Sequence, residues 1–396
     1  MRLKLTNYLL YSSIFAIFTE AFFFKFIIDW KLLYVIIFTN YIIVLWTNRL
    51  KYNQYFVMLL MFFFAHGLLC YTIISIPINY MVSQVLGIAV VGTYYYNFIA
   101  LYKTKEIIDT YCKMAFWVAL LGYPMYFLRI QIGNFGEDRF CSFFKEPAHY
   151  VIVVFPACYY YFKEKKYLRF LIIFATLLLS ASSLGYVGCA LFFLLPNLTL
   201  KRIGYFLAIT PIILLTFIFV YNNFPFFKIR VKETYSSLKV IETGKFINYT
   251  NLSTYVLLGN MYIAKKNIID HPFGSGIGSH HYMHTEEYLK LMRPPEYLVI
   301  QKKQADNSFD ANSLFTRLCS EFGVLGFVAI ILALVFFSKS YKHKELYFAQ
   351  GVVIYLLLKL FRDGTYFPPE LYFFIWTYYF SYKEFKIEKI NQNISS

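Results

Sequence analysis

The sequence has little charge and no paired cysteines. Asp, Glu, Lys and Arg make up 15% of the 396 residues, against 59% for hydrophobic side chains. Soluble domains carry about 25% charged residues, so an ordinary soluble domain is excluded. The six cysteines lack the spacing of a disulfide framework or a metal site. No small-residue cleavage site follows the first apolar run, so we expect an uncleaved first helix.

The sequence contains continuous apolar runs, which favour membrane helices over a membrane barrel. We predict an all-α polytopic membrane protein with about 12 transmembrane helices. The separation of the seventh helix from the eighth rests on the polar residues Ser180, Ser182 and Ser183. The runs lie near 8–28, 32–46, 55–76, 82–101, 111–130, 147–162, 167–182, 184–197, 203–221, 319–338, 346–361 and 366–381.

Basic residues recur in alternate connections between these runs. The net charge of +16 therefore encodes orientation in a bilayer, and we expect no nucleic-acid partner. With the amino terminus inside, every predicted cytoplasmic segment is basic, which places both termini in the cytoplasm. These residues are Arg2 and Lys4; Arg49 and Lys51; Lys103 and Lys105; Lys163, Lys165 and Lys166; Lys201 and Arg202; Lys339, Lys342 and Lys344; and Lys383 and Lys386.

One long polar segment interrupts the apolar pattern and falls on the outer side. It divides the chain into helices 1–9 (residues 1–221), a large helical extracytoplasmic loop (222–312), and helices 10–12 with a cytoplasmic tail (313–396). Long loops cross the membrane largely regardless of their charge. The loop therefore indicates an outer site for binding or chemistry. Its notable residues are Arg230, His271, His280, His281, His284 and Arg293.

A short charged segment precedes the sixth apolar run. Pro147 suits the first turn of a helix, which puts Glu146 at the positive end of the helix dipole. Arg139 and Lys145 could face an anion beside it. The segment is either a basic anchor for a helix end or a site that joins a carboxylate to cations at the lipid headgroups.

Glycines follow the His-Pro pair in the long loop. Gly274, Gly276 and Gly278 let backbone N–H groups approach a ligand closely, although the spacing matches neither a phosphate-binding loop nor a dinucleotide fold. His280 and His284 could share a helical face, but a third metal ligand is lacking. We therefore expect no metal.

The tenth apolar run is preceded by a polar stretch that contains Asp310 and Asn312. Apolar residues at helical spacing follow, and Arg317 and Glu321 stand one helical turn apart. The two charges form either a local ion pair or part of a functional site, because charges at a membrane edge are often functional.

These segments, in this order, resemble the O-antigen polymerase and ligase superfamily of bacterial inner-membrane glycosyltransferases. The resemblance covers roughly residues 135–335. The matching residues are Arg139, Phe144, Glu146 and Pro147 before a span; Leu179, Ser180, Ser182, Ser183 and Gly185 between spans; His271, Pro272, Gly274 and Gly276 in the long loop; and Asn312, Glu321, Gly323 and Gly326 at a later span.

The resemblance implies a C-type glycosyltransferase-like fold, no metal or other cofactor, and an undecaprenyl-diphosphate-linked oligosaccharide as partner. The lipid bilayer, a chain-length regulator and a flippase are further expected partners. Ligases typically have a His where this chain has Asn312, and often an Arg where it has Ser183. A polymerase of repeat units is therefore favoured, with the ligase as an alternative.

Charge development in such a reaction suggests roles for the residues. Negative charge appears on the leaving diphosphate, which arginine meets with paired donors, and the acceptor hydroxyl needs a proton acceptor. As catalytic residues we predict Glu146, Arg139, His271 and Arg293. As residues that bind the diphosphate or glycan we predict Lys145, Arg230, Gly274, Gly276, Asn312 and Arg317.

A transporter, such as a lipid-linked sugar flippase or an ion-coupled carrier, is the alternative from a different class. Carriers usually hold polar sites near the middle of the bilayer, with broken helices and internal repeats. Here the predicted spans contain few charges (Glu20, Lys25, Lys113 and Lys359), and the two halves show no repeat. A purely structural role would leave the charged outer segments without a purpose.

Overall fold

The computed structural model describes residues 2–26, 28–47, 50–130, 132, 139–197 and 238–395, with scattered positions between 210 and 235. The regular secondary structure of the described residues is helical apart from one antiparallel hairpin, in which Phe23 pairs with Lys31, and an isolated bridge between Lys245 and Arg293. Arg230 and the larger part of the ninth predicted span lie outside the described residues.

Short turns join several of the helices, for example α4 to α5 and α6 to α7. In chain order the elements are α1 (Arg2–Ala16), β1 (Phe23–Phe26), β2 (Ile28–Lys31), α2 (Leu32–Thr47), α3 (Gln54–Ile74), α4 (Asn79–Ile99), α5 (Thr104–Phe127), α6 (Pro147–Lys163), α7 (Tyr167–Leu179), α8 (Ser183–Leu194), α9 (Val240–Thr243), α10 (Leu252–Asp270), α11 (His280–Tyr282), α12 (Glu296–Ile300), α13 (Leu314–Ser338), α14 (Tyr347–Phe361) and α15 (Pro369–Ser395). A π turn at Met283–Tyr288 and a 3-10 turn at Leu289–Leu291 continue α11.

Two described helices are long and apolar enough to cross a membrane. They are Gln54–Ile74 and Leu314–Lys342, and the bent pair α4 and α5, which meet at 111°, makes a third if it counts as one span. Leu32–Thr47, Tyr167–Leu179 and Ser183–Leu194 are shorter apolar helices. The helical fold and these spans fit a membrane protein, whereas the count of 12 spans stays a prediction.

Local sequence signals set several helix ends. α6 begins at Pro147, as predicted, with extended backbone at Glu146. A helix break lies where the sequence predicts one, since α7 ends at Leu179 and α8 begins at Ser183, whereas their division into two spans stays a prediction. The first predicted span, 8–28, is wrong in extent. α1 ends at Ala16, and the chain then turns into the hairpin, which brings Glu20 within reach of α6.

The core is formed where α14 packs against α6, with α5, α7 and α8 also in contact with α6. α15 packs on α4, and α13 contacts both α10 and α14. Large aromatic side chains fill the interior, among them the fully buried Tyr111, Tyr159 and Tyr355. Aromatic rings bury large apolar areas, so the high aromatic content supplies much of the packing. Five of the six cysteines are buried and all are free.

A glycine contact fixes the loop after α10 against α13. Gly323 interrupts α13 with φ of 57° and ψ of −134°. A Cβ atom there would lie 2.0 Å from the carbonyl oxygen of Pro272, far inside van der Waals contact. Val324 donates its N–H to the same carbonyl. The loop and the helix therefore touch through backbone atoms, which only glycine permits here.

Replacing Gly323 with alanine is expected to destabilise the protein by at least about 2 kcal/mol, through the steric clash and the unfavourable φ. The measurement is the thermal midpoint of purified protein in detergent. Gly259→Ala in α10 is the matched control, because its nearest side-chain neighbours would lie 3.8–3.9 Å from the new Cβ. Equal midpoints for the two variants would contradict the assigned role of Gly323.

Candidate functional site

A buried ion pair lies near the start of α13. Arg317 Nε is 3.0 Å from Glu321 Oε1, and the two side chains are 3% and 0% exposed. The guanidinium group also donates to the carbonyl oxygen of Gly364 at 3.0 Å, and it lies 4.1 Å from the ring centroid of Tyr366. Both charges are thus compensated by direct contacts, which a buried charge requires.

The glycine loop after α10 wraps around this pair. Gly278 N donates to Glu321 Oε2 at 2.7 Å, and Gly276 N donates to the Glu321 backbone carbonyl at 2.9 Å. Gly274, Gly276 and Gly278 all have positive φ. The sequence suggested a loop whose N–H groups approach a ligand. In the structure, the N–H groups of Gly276 and Gly278 are occupied by Glu321.

A polar network continues from the loop to α10. His280 Nε2 is 3.0 Å from Asn260 Oδ1, and His280 Nδ1 is 2.8 Å from Ser320 Oγ. The Asn260 amide nitrogen donates to Val256, which fixes Oδ1 as an acceptor. Nε2 therefore carries the hydrogen and Nδ1 accepts one, so the contacts suit a neutral ring.

The environment of the histidines opposes their protonation. Burial, with His284 and Arg317 nearby, holds the pKa of His280 well below its ordinary value. Burial and His281 lower the pKa of His284 from 6.5 to about 4. His281 Nδ1 lies 2.7 Å from Ser308 Oγ, and burial lowers its pKa also. Hydrogen bonds hold His280 and His281 in place, whereas His284 Nδ1 is buried without a hydrogen-bond partner among the described residues.

A second group of charges gathers at the same end of the bundle. His149 Nδ1 is 2.7 Å from Glu20 Oε1, and Arg362 Nη2 is 3.8 Å from Glu146 Oε2. Lys359, fully buried, donates to Asp363. His149 also interacts electrostatically with Asp363 and Glu146. We call the following set the charged cluster: Glu20, Glu146, His149, Asp310, Lys359, Arg362 and Asp363.

Backbone contacts join the charged cluster to the Arg317–Glu321 pair. Asp363 N donates to the carbonyl oxygen of Asn312, and Asn312 N donates to Asp310 Oδ1. Burial raises the pKa of Asp310. Burial also opposes ionisation of Asp363, but Lys359 and His149 outweigh it and hold its pKa below the ordinary value. Two neighbouring aspartates therefore differ in their affinity for a proton.

Two buried polar atoms beside the charged cluster have no hydrogen-bond partner among the described residues. They are Glu20 Oε2 and the hydroxyl of Tyr355. The Tyr355 ring is completely buried, and its hydroxyl interacts electrostatically with the carboxylates of Asp363 and Glu370. An unpartnered buried polar atom is costly and calls for a partner such as water or a ligand hydroxyl.

The structure brings three predicted site residues to this end of the bundle. Glu146 belongs to the charged cluster, Asn312 hydrogen-bonds to it, and Arg317 contacts Gly364 next to Asp363. His271 follows α10 and is half-buried. Lys145 is exposed immediately before Glu146.

The two other described arginines of the predicted site lie apart. Arg139 donates to the carbonyl oxygens of Ser180 and Ala181, so it caps the end of α7. Arg293 has an exposed side chain, and its backbone pairs with that of Gly244 and Phe246. No direct contact between Arg293 and the charged cluster occurs in the described part of the chain.

Sequence reasoning missed Arg362 and Asp363, and it noted Glu20 and Lys359 only as isolated charges within spans. The sequence nevertheless contains a pattern that indicates this site. Lys359, Arg362, Asp363 and Glu370 fall within 12 residues, at a turn between two apolar runs that the topology places outside. Charged side chains at a membrane cost free energy, so several of them at one turn indicate a functional role.

Comparison with known proteins leaves the family open. A search against family models finds no match, and a search of curated proteins finds no significant match.

Acid is expected to weaken the fold through His284. The unfolded side chain binds a proton near pH 6.5, whereas the folded one does so only near pH 4. The unfolded state therefore holds more protons between these values, and the unfolding free energy falls as the pH falls. From pH 6.5 to pH 5 the loss is about 2 kcal/mol.

The measurement is the thermal midpoint at pH 7.5 and at pH 5, for the wild type and for His284→Gln. Glutamine retains polarity without titrating, so the variant should show a smaller fall in midpoint. His343→Gln is the control, since that histidine lies in a turn after α13, away from the network. An equal fall for all three proteins would exclude His284 as the cause.

Proposed function

We propose that the protein is a glycosyltransferase that joins undecaprenyl-diphosphate-linked oligosaccharide repeat units into a polysaccharide on the outer face of the bacterial inner membrane. The product would be O-antigen, a capsule or another exopolysaccharide. The proposal includes the topology of about 12 spans with both termini in the cytoplasm. Transfer of the glycan to lipid A–core, the ligase reaction, is the related alternative.

The charged cluster carries this proposal. It draws carboxylates, a histidine and cations from segments far apart in the sequence, at one end of an apolar helical bundle. Charges in such a setting are costly and usually functional. Reaction of a lipid-linked diphosphate needs this combination, because the reacting bond lies between a hydrocarbon anchor and a hydrophilic glycan.

Cations are needed for the leaving diphosphate. Arg362 is 31% exposed, and its one ion pair among the described residues is a long contact with Glu146, so it can offer further N–H groups to phosphate oxygens. Arg317 is fully engaged by Glu321 and Gly364, and it positions the start of α13. Arg139, Arg230, Arg293 and Lys145 remain the further cations that the sequence predicts.

A proton acceptor is needed for the attacking hydroxyl. In the reaction, the acceptor O–H bond breaks as the new C–O bond forms, and the diphosphate leaves with the electron pair of the anomeric C–O bond. Glu146 is the first choice for the proton, since it is partly exposed beside Arg362. His271 is the second choice from the sequence.

Glu146→Gln and Arg362→Gln are expected to lower the rate of chain extension by roughly 10²-fold or more, because each removes a charge that acts on the transition state. The assay is glycan chain growth by purified protein in nanodiscs with lipid-linked oligosaccharide as the only substrate. Glu345→Gln is the matched control, at an exposed position after α13. Arg293→Gln measures the contribution of the arginine predicted from sequence but located elsewhere.

Wild-type rates for Glu146→Gln and Arg362→Gln, with an active wild type, would remove the charged cluster from the reaction. An intact wild type that extends no chains, but attaches glycan to lipid A–core, would favour the ligase.

An ion-coupled carrier of lipid-linked sugars is a second candidate, favoured by the helix breaks. α4 and α5 meet at 111°, and Gly323 interrupts α13 beside the buried pair. Carriers use broken helices and intramembrane charges at their substrate sites. Movement of labelled lipid-linked sugar across proteoliposomes, without bond formation, would support the carrier over the transferase.

A further inference from the structure

An apolar groove of about 670 Å³ runs between α3, α13, α14 and α15. Its walls include Phe63, Leu318, Ala329, Ala333, Leu360 and Tyr366. Ligand pockets typically measure about 300–1,000 Å³, so the groove has the volume of a binding site. With almost wholly apolar walls, it suits a hydrocarbon chain.

Small side chains on α13 create this space. Ala329 and Ala333 are one turn apart, and both line the groove together with Ile330 and Leu334. Residues four apart lie on one face of a helix, so the two alanines form a shallow strip along α13. Leu332 and Val335 point elsewhere, with 64% and 57% of their surfaces exposed.

The groove opens toward the surface that hydrocarbon would contact. Its walls α3 and α13 are the two helices long and apolar enough to cross a membrane. In α3, only 17% of the most apolar window is buried within the protein. An occupant would therefore enter sideways from the lipid.

One end of the groove lies beside Arg317 and Asn312. Tyr366 lines the groove, and its ring lies against the guanidinium group of Arg317. Leu314, another lining residue, follows Ser313, and the neighbouring Asn312 accepts a hydrogen bond from Asp363. The arrangement therefore suits one molecule with an apolar chain and an ionic head.

We infer that this groove binds the isoprenoid chain of the lipid-linked substrate and directs its diphosphate toward the charged cluster. The inference rests on the proposed function and adds where the lipid anchor is held. Phospholipid acyl chains are the competing occupants. The end of the groove at Leu314 and Tyr366 favours the substrate, because Arg317, which contacts Tyr366, also binds Gly364 next to Asp363, so a diphosphate placed there would lie near the charged cluster.

The test fills the groove with larger side chains. Ala329→Phe and Ala333→Phe should each raise the dissociation constant for undecaprenyl diphosphate at least tenfold, in nanodiscs of phosphatidylcholine. Leu332→Phe and Val335→Phe are matched controls on the same helix, facing away from the groove, and should change it less than twofold. Binding is measured by photocrosslinking of a diphosphate probe that carries a diazirine in its isoprenoid chain.

Each outcome has a distinct meaning. Equal crosslinking in all four variants would overturn the groove assignment, as would crosslinks outside α3, α13, α14 and α15. Crosslinking that excess unlabelled undecaprenyl diphosphate fails to reduce would assign the groove to ordinary lipid and also overturn it. If the wild type binds the probe in the groove but extends no glycan, the proposed function fails and the groove remains.

Discussion

Pairing of Arg317 with Glu321 is the interaction on which the end of the bundle next to the charged cluster depends. An unpaired charge at this depth would cost several kcal/mol, so both partners must be held in place. Glu321 meets this need by binding the glycine loop, and Arg317 by binding the turn at Gly364. The same contacts place α10, α13 and the turn before α15 against one another. The fold and the charged cluster are therefore stabilised by one set of bonds.

In the charged cluster, ionic side chains pair with one another at one end of an apolar helical bundle. Carboxylates from the turn after α1 and from the start of α6 meet His149 and Arg362, while Lys359 balances Asp363. Each charge has a partner, yet Glu20 Oε2 and the Tyr355 hydroxyl keep unused hydrogen-bonding capacity. In the proposed function, the diphosphate of the substrate meets the charged cluster, and its hydrocarbon chain lies in the apolar groove.

Local features of the fold could be predicted from the sequence, whereas its long-range contacts could not. Pro147 at a helix start, the serine-rich break before α8, and the one-turn spacing of Arg317 and Glu321 all act within a few residues. The end of α1 at Ala16 was missed, because apolar residues continue beyond it. Contacts such as His149 with Glu20 depend on which helix faces pack, and hydrophobic patterning is weak where nearly every residue is apolar. The partner of the glycine loop was missed for the same reason, since Glu321 follows Gly278 by 43 residues.

Membrane orientation is the central claim, because a charged cluster on the cytoplasmic side could not serve an extracytoplasmic polymerase. Single cysteines at Lys145 and Lys342, both exposed, report the two ends of the bundle in a chain stripped of its native cysteines. A membrane-impermeant maleimide added to intact spheroplasts should label Lys145→Cys fully and Lys342→Cys only after the membrane is opened. The reverse pattern, or labelling of neither site until the membrane is opened, would contradict the account.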